Sequence, residues 1–234
     1  MMDKNHGGAG GKGSGRGGRP PPSAPSHAGL LARRLTGREA PPLSVILCTG
    51  AAAKTRFLRA AAGAAAGSVL YMDTDLLYAG CARAGLGGIR DRTTLVCPDQ
   101  DTWHRDLASA ISASSAGRMT VIIDSLNGIY EMYGGADSAM TANTHIMALA
   151  SLAGQAGSAV IVGVRVRRRM SMKAGGFGGG GVGGEAEHAA RPTAATAGEW
   201  VLHPGGRQVP RMAADSTYLL PPEGTGAPPA KVEV

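Results

Sequence analysis

The chain alternates short β-branched runs with longer stretches whose apolar residues recur at helical spacing. Apolar runs bounded by turn formers or acids predict strands at about 43–48, 68–73, 94–97, 119–124, 158–166 and 216–220. Apolar residues three or four positions apart predict helices at about 54–66, 101–115 and 140–155. This alternation is typical of βαβ units, so we expect an α/β fold with a mostly parallel twisted sheet flanked by helices.

Two terminal segments depart from this alternation. Residues 1–28 are rich in Gly and Pro and carry basic side chains, so we expect a disordered basic arm there. The arm is either an inert extension or an additional contact with a polyanion. Residues 221–234 contain paired prolines and repeated glycines, which predict a disordered tail. The folded core is therefore expected at 29–220.

Composition narrows the class of protein. Aromatic residues make up only 4% of the chain, so the core must be built from aliphatic side chains. The net charge of +7 favours a polyanionic partner. No apolar run approaches the roughly 18 residues that a membrane span needs. The three cysteines lack the spacing of a zinc site. These features predict a cytoplasmic protein that has no membrane partner.

The stretch "CTGAAAKT", residues 48–55, lies between a predicted strand and a predicted helix. Phosphate-binding loops have the pattern G-x-x-x-x-G-K-[ST] in this position, because their backbone amides surround a phosphate. Lys54 and Thr55 match the pattern, whereas Cys48 and Ala53 replace its two glycines. A side chain in the left-handed conformation costs roughly 1–2 kcal/mol. The stretch is therefore either a weakened phosphate loop or an ordinary strand-to-helix turn.

If this stretch binds a nucleotide, the start of the following helix would supply amide groups and a positive dipole end. The predicted cofactor-binding residues are Gly50, Ala51, Ala52, Ala53, Lys54, Thr55 and Arg56.

Acidic side chains follow two of the predicted strands. Asp73 and Asp75 end the strand in "SVLYMDTD", and Asp124 ends the strand in "TVIIDSLNGIY". The carboxyl ends of parallel strands meet at one edge of a sheet, where open α/β folds bind ligands. Thr55 and Asp124 are therefore the predicted Mg²⁺ site. Asp75 and Lys54 are the predicted catalytic residues, with Asp75 orienting or deprotonating the attacking water. The alternative for each aspartate is a helix cap or a turn former.

In their order along the chain, these motifs resemble the RecA-like ATPase core of archaeal recombinases of the RadA and RadB type. "VLYMDTD" resembles that family's "VxYIDTE", with Asp75 at the catalytic Glu. "VIIDSLNGIYEM" resembles its "VVIDSxxxLYR", which carries the Mg²⁺-linked Asp, here Asp124. "GSAVIVGVRV" is similar to "GVAVVITNQV", and "RPTAATAGEWVLH" with "DSTYLL" resembles the returning segment. The resemblance covers about residues 29–220 and is greatest to the short, RadB-like form.

The resemblance implies a RecA-like P-loop fold and a protein of DNA recombination or repair that binds ATP with Mg²⁺. Three departures accompany it: the loop glycines are missing, Asp75 is shorter than Glu, and Arg165 stands where the family has a sensing Gln. Two functions remain open. One is a slow DNA-dependent ATPase, and the other is an inert partner or scaffold subunit, comparable to the ATPase-like subunits of Elongator or to a recombinase mediator. A recombinase or a second copy of the chain is the expected protein partner, at the nucleoid.

A basic run follows the predicted strand at 158–166 and continues into a Gly-rich segment that ends at residue 184. The predicted nucleic-acid-binding residues are Arg165, Arg167, Arg168, Arg169 and Lys173. Basic side chains bind phosphates with release of counterions, and a mobile loop can follow a flexible single strand. In the resembled family this position is a loop that lines the DNA channel. We therefore expect binding of single-stranded DNA with low sequence specificity. The alternative is a solvated charge run or an inter-subunit surface.

Overall fold

The structure is a computed structural model that describes residues 26–86, 91–133, 138–169, 199–202, 214–222 and 224–232. The strands in these residues are β1 (Leu43–Cys48), β2 (Ser68–Asp73), β3 (Thr93–Val96), β4 (Met119–Asp124), β5 (Ala159–Arg169), β6 (Glu199–Leu202), β7 (Ser216–Leu219) and β8 (Ala230–Lys231). The helices are α1 (His27–Thr36), α2 (Ala51–Ala64), α3 (Leu77–Arg83), α4 (Trp103–Ala116), α5 (Leu126–Tyr133) and α6 (Ser138–Gln155).

The strands of the described residues form one mixed sheet that is mostly parallel. Its order is β3-β2-β4-β5-β1-β7-β8, and β6 pairs with β5 beside this path. Neighbours from β3 to β7 are parallel. The pairs β5–β6 and β7–β8 are antiparallel. The predicted α/β class is confirmed at this level.

Helices cover both faces of the sheet because successive strand residues point to opposite sides. In β1, Val45 and Leu47 pack in a core cluster with α4, α5 and α6. Ile46 and Cys48 pack in a second cluster with α1, α2 and Tyr78 of α3. Both clusters are mainly aliphatic, as the composition predicts. None of the helices described here is both long and apolar enough to span a bilayer.

The core begins slightly earlier than predicted. Ser26 Oγ accepts a hydrogen bond from the Gly29 amide at 3.1 Å and caps α1. Helix α1 therefore starts inside the segment 1–28, and its residues Leu31 and Leu35 are buried against α2. The rest of the predicted arm lies outside the described residues, so its disorder stays a prediction.

The carboxyl-terminal boundary also differs from the prediction. Strand β8 lies within 221–234, where the sequence predicts a tail, and Lys231 pairs with Tyr218 of β7. Val232 packs against the core beyond this strand. A two-residue strand is too short to show hydrophobic alternation, which is why the sequence pattern does not reveal it.

Candidate functional site

Side chains from α2, β4 and the turn after β2 meet at the carboxyl-terminal edge of the parallel strands. Lys54 Nζ donates to Asp75 Oδ2 at 2.6 Å and forms a second ion pair with Asp124 Oδ1. The side chains of Lys54 and Asp124 have no exposed surface, and that of Asp75 is 15% exposed. The predicted amine and the two predicted carboxylates thus form one group, the Lys54 cluster (Lys54, Asp75 and Asp124).

Lys54 reaches Asp124 by crossing β5 at a glycine. Strand β5 lies between β1 and β4, and Gly163 of β5 is in register with Asp124. A Cβ on Gly163 would lie 2.7 Å from Leu58 Cδ1 and 3.2 Å from Lys54 Cγ. A side chain at this position would crowd both Leu58 and the lysine side chain. Gly163 is not among the predicted site residues, although a glycine inside the apolar run "AVIVGV" indicates a close approach of another segment.

Two hydrogen-bond donors reach Asp124 besides Lys54. Its Oδ2 accepts from Tyr71 Oη at 2.6 Å and from Thr55 Oγ1 at 3.1 Å. Burial, followed by the charge of Asp124, raises the pKa of Tyr71 far above its ordinary value. Tyr71 therefore stays protonated and donates. Tyr71 is not among the predicted site residues. A strand places residues two apart on one face, so Tyr71 shares a face with Asp73, which is in register with Asp124.

Asp75 is held from the β4 side. Ser125 Oγ donates to both carboxylate oxygens of Asp75, at 3.0 and 2.9 Å. Thr74 Oγ1 accepts from the Ser125 amide at 2.7 Å and donates to the Ser125 carbonyl at 2.9 Å. The Asp124–Ser125 peptide bond is cis. These contacts tie the turn after β2 to the turn after β4.

Asp73 has a different role from the other two aspartates. Its Oδ2 accepts a hydrogen bond from the Ala79 amide in the first turn of α3, at 2.7 Å. Asp73 therefore has the helix-capping role that the sequence allows as an alternative. Its Oδ1 has no hydrogen-bond partner among the described residues. Burial raises the pKa of Asp73 to about 6, although the Ala79 hydrogen bond opposes this rise.

The stretch 48–55 does not form a loop around a phosphate. Helix α2 begins at Ala51, three residues before the predicted start, and the Lys54 amide donates to the Gly50 carbonyl at 3.1 Å. Gly50 has an extended backbone with φ −120°, and no residue of the stretch has positive φ. Alanine is the strongest helix former, so Ala51 and Ala53 continue the helix where a loop needs glycine. Helix α2 therefore begins earlier than the predicted residue 54, and the stretch is an ordinary strand-to-helix turn, the second of the two alternatives.

The arrangement does not fit a bound triphosphate with Mg²⁺. The Lys54 amine is buried and neutralised by two carboxylates. The predicted metal ligands Thr55 and Asp124 bind each other. No set of three or more His, Cys, Asp or Glu side chains that could hold a metal ion occurs in the described ranges. Burial raises the pKa of Cys48 to about 12, so this thiol stays protonated at neutral pH.

Arg56 lies apart from the Lys54 cluster. Arg56 is a predicted nucleotide-binding residue, but it lies within α2 and is exposed, whereas Lys54 and Thr55 of the same turn are buried. Its side chain lines a cleft with Arg33 and Arg59 instead. The helical start of α2 explains the difference, because a helix turns neighbouring side chains to different faces.

The predicted basic loop begins as a strand. Strand β5 continues to Arg169 and pairs antiparallel with β6, where Arg168 lies opposite Trp200. Arg167 and Arg168 are exposed, and Val166 between Arg165 and Arg167 is buried. Strand alternation therefore puts Arg165 and Arg167 on one face and Arg168 on the other.

Asn127 holds β5 at the first of these arginines. Its Oδ1 accepts from the Arg165 amide at 2.8 Å, and its Nδ2 donates to the Arg165 carbonyl at 3.1 Å. Lys173 and the Gly-rich segment lie outside the described residues, so their loop character stays a prediction.

No protein-family model matches the chain, and no curated protein matches it either. The resemblance to RadA- and RadB-type recombinases therefore stays a prediction from the order of the motifs. The site has to be interpreted from its geometry.

Proposed function

We propose that the protein is a RecA-like partner subunit of DNA recombination or repair that binds single-stranded DNA and does not turn over ATP. The Lys54 cluster is the observation that carries this proposal. Its amine is neutralised by two carboxylates of the chain itself, so it is not left for a phosphate. The mostly parallel sheet and the meeting of three motif residues at one edge support the RecA-like part of the proposal.

The contacts of the cluster account for a structural role of Lys54. A buried ion pair is tolerated only where further hydrogen bonds satisfy both charges. Asp124 accepts from Thr55 and Tyr71 in addition to Lys54, and Asp75 accepts from Ser125. These bonds join α2 to the ends of β2 and β4. This structural role accounts for Lys54 in a stretch that lacks the glycines of a phosphate loop.

The arginines of β5 supply the nucleic-acid part of the proposal. Arg167 and Arg168 are exposed, and Asn127 anchors the strand next to them. Phosphate contacts of this kind give binding that depends strongly on salt and little on base sequence. A paired strand presents its cations in a more constant geometry than a loop, which lowers the ordering cost of binding.

The DNA-binding part is tested with the variant Arg167→Ala/Arg168→Ala and an oligothymidylate. Because Arg167 and Arg168 lie on opposite faces of β5, we expect weaker binding and a slope of log K against log salt that is smaller by about 0.7 for each of the two that contacts a phosphate. The control Arg34→Ala/Arg38→Ala removes the same charge from exposed positions elsewhere and should leave both quantities unchanged. An unchanged slope in the β5 variant would overturn the nucleic-acid assignment.

Weak binding of ATP with Mg²⁺ is the second candidate function. The side chains of the cluster and Thr55 have the chemistry that phosphate and Mg²⁺ require, which favours this candidate. It requires the first turn of α2 to open and Lys54 to leave its carboxylates.

The two candidates are separated by ATP titration and by hydrolysis assays with and without single-stranded DNA. For the inert partner, the wild type shows no DNA-stimulated hydrolysis, and Thr55→Val has no effect on ATP titration. ATP binding that needs Mg²⁺ and is lost in Thr55→Val would establish the second candidate. Thr55→Val keeps the shape of the side chain but removes its hydrogen bond to Asp124, so thermal melting is measured to check that the variant folds.

A further inference from the structure

An open cleft of about 700 Å³ lies between α1 and α2, beside α3 and β3. Three arginines line it, Arg33 from α1 and Arg56 and Arg59 from α2. Small residues of the two helices leave the volume between them, namely Gly29, Ala32, Ala60 and Gly63. No member of the Lys54 cluster lines the cleft, so it is a separate site.

The charged residues that the structure describes in the wall of this cleft are all basic. Among the described residues that line it, none is acidic. The sequence contains no acid between Glu39 and Asp73, a span that includes Arg56 and Arg59. Clustered like charges raise the local potential and attract counter-ions of opposite sign. The cleft is therefore suited to an anion.

One of the three arginines is already held in place. The Arg59 guanidinium carbon lies 5.2 Å from the centroid of the Tyr78 ring, and its Nη2 donates to the Leu86 carbonyl at 3.2 Å. Tyr78 is buried and packs edge-on against Tyr71, with ring centroids 4.5 Å apart. A guanidinium that is ordered before binding loses less entropy when a ligand arrives. Arg33 is exposed on the facing helix.

We propose that this cleft binds a small ligand that carries two or more phosphate groups. The planar guanidinium group matches a pair of phosphate oxygens, and three such groups exceed the charge of a single phosphate monoester. The volume lies within the roughly 300–1,000 Å³ of small-molecule sites. The inference does not rest on the proposed function, because it uses neither the Lys54 cluster nor the arginines of β5.

The test is calorimetric titration of the full chain with inorganic pyrophosphate at low salt. Arg33→Ala should weaken pyrophosphate binding about tenfold, because a hydrogen bond between charged groups is lost. Arg59→Ala should weaken it at least as much. Arg34→Ala is the matched control, since it removes the same charge from the next position of α1 and Arg34 does not line the cleft. It should leave the affinity unchanged.

Three outcomes would overturn the proposal. The wild type binds no pyrophosphate, or Arg33→Ala retains full affinity, or Arg34→Ala loses as much affinity as Arg33→Ala, which indicates attraction by overall charge alone. A parallel titration with oligothymidylate distinguishes the source of the phosphates. Binding of the oligonucleotide that depends on Arg33, without binding of pyrophosphate, would assign the cleft to a nucleic-acid backbone instead. Arg33 is exposed, so Arg33→Ala tests the cleft without disturbing the core.

Discussion

The Lys54 cluster and the arginine cleft share helix α2 and differ in how their positive charge is balanced. Lys54 has no exposed surface and binds two carboxylates. Arg33, Arg56 and Arg59 line an open cleft in which no described lining residue is acidic. Removing a charge from water costs several kcal/mol, so a buried cation needs partners from the chain, whereas an exposed one keeps its water. The Lys54 amine thus belongs to the fold, whereas the Arg33 side chain is exposed where a ligand can reach it.

The largest effect is expected from removing the Lys54 amine. Lys54→Met leaves two carboxylates without their cation, one of them fully buried, and should lower the free energy of unfolding by about 3–5 kcal/mol. Urea denaturation measures this change. At the exposed position, Arg34→Met should change the free energy of unfolding by less than about 0.5 kcal/mol.

A second variant keeps the test informative if Lys54→Met does not fold. Lys54→Met/Asp124→Asn removes the buried carboxylate together with the cation, so part of the lost stability should return. Wild-type stability of Lys54→Met would show that the cluster is not structural and would remove the contrast between the two regions.

Much of the Lys54 cluster can be predicted from the sequence. The strands Ser68–Asp73 and Met119–Asp124 coincide with their predictions, because each is a continuous apolar run that ends in an acid. Their parallel pairing then brings Asp75 and Asp124 together, as the sequence analysis expects. The start of α2 cannot be predicted in this way. The phosphate-loop motif predicts a loop up to Lys54, whereas the high helix propensity of alanine extends the helix back to Ala51.

Contacts between distant segments account for what the sequence does not reveal. The run from Arg165 to Arg169 has no strand-like alternation of apolar and polar residues, and it becomes a strand by pairing with Glu199–Leu202. The role of Gly163 depends on Lys54 and Leu58, which lie more than a hundred residues earlier. Local patterns carry no information on such pairs, so these assignments require coordinates.

A smaller effect on stability is expected at Asp73, which allows a comparison between two buried carboxylates. It is in register with Asp124 and equally buried, but its Oδ1 has no partner among the described residues. Burial raises its pKa from 3.8 to about 6, so the folded state holds its proton more tightly than the unfolded state. This contribution to stability is complete below about pH 4 and is lost as the pH rises through about 6. The loss amounts to about 3 kcal/mol.

The measurement is urea denaturation of the wild type and Asp73→Asn between pH 4 and pH 7. The asparagine carries no charge and its Oδ1 can still accept from the Ala79 amide, so its stability should lack this decline. The difference between the two proteins should therefore shift in favour of Asp73→Asn by about 3 kcal/mol across the interval. A difference that stays constant with pH would contradict the raised pKa.

Leu76 is expected to give the smallest effect, at the border between the cluster and solvent. It follows Asp75 directly, has φ 57°, and is 51% exposed. The left-handed conformation costs a residue with a Cβ about 1–2 kcal/mol, while glycine costs about 0.5–1 kcal/mol in chain entropy. Leu76→Gly should therefore raise the free energy of unfolding by about 0.5–1 kcal/mol. Leu77→Gly is the control, because Leu77 begins α3 and does not have a positive φ. Its free energy of unfolding should fall by about 1 kcal/mol. Equal losses in the two variants would mean that the cluster does not hold a strained backbone at its edge.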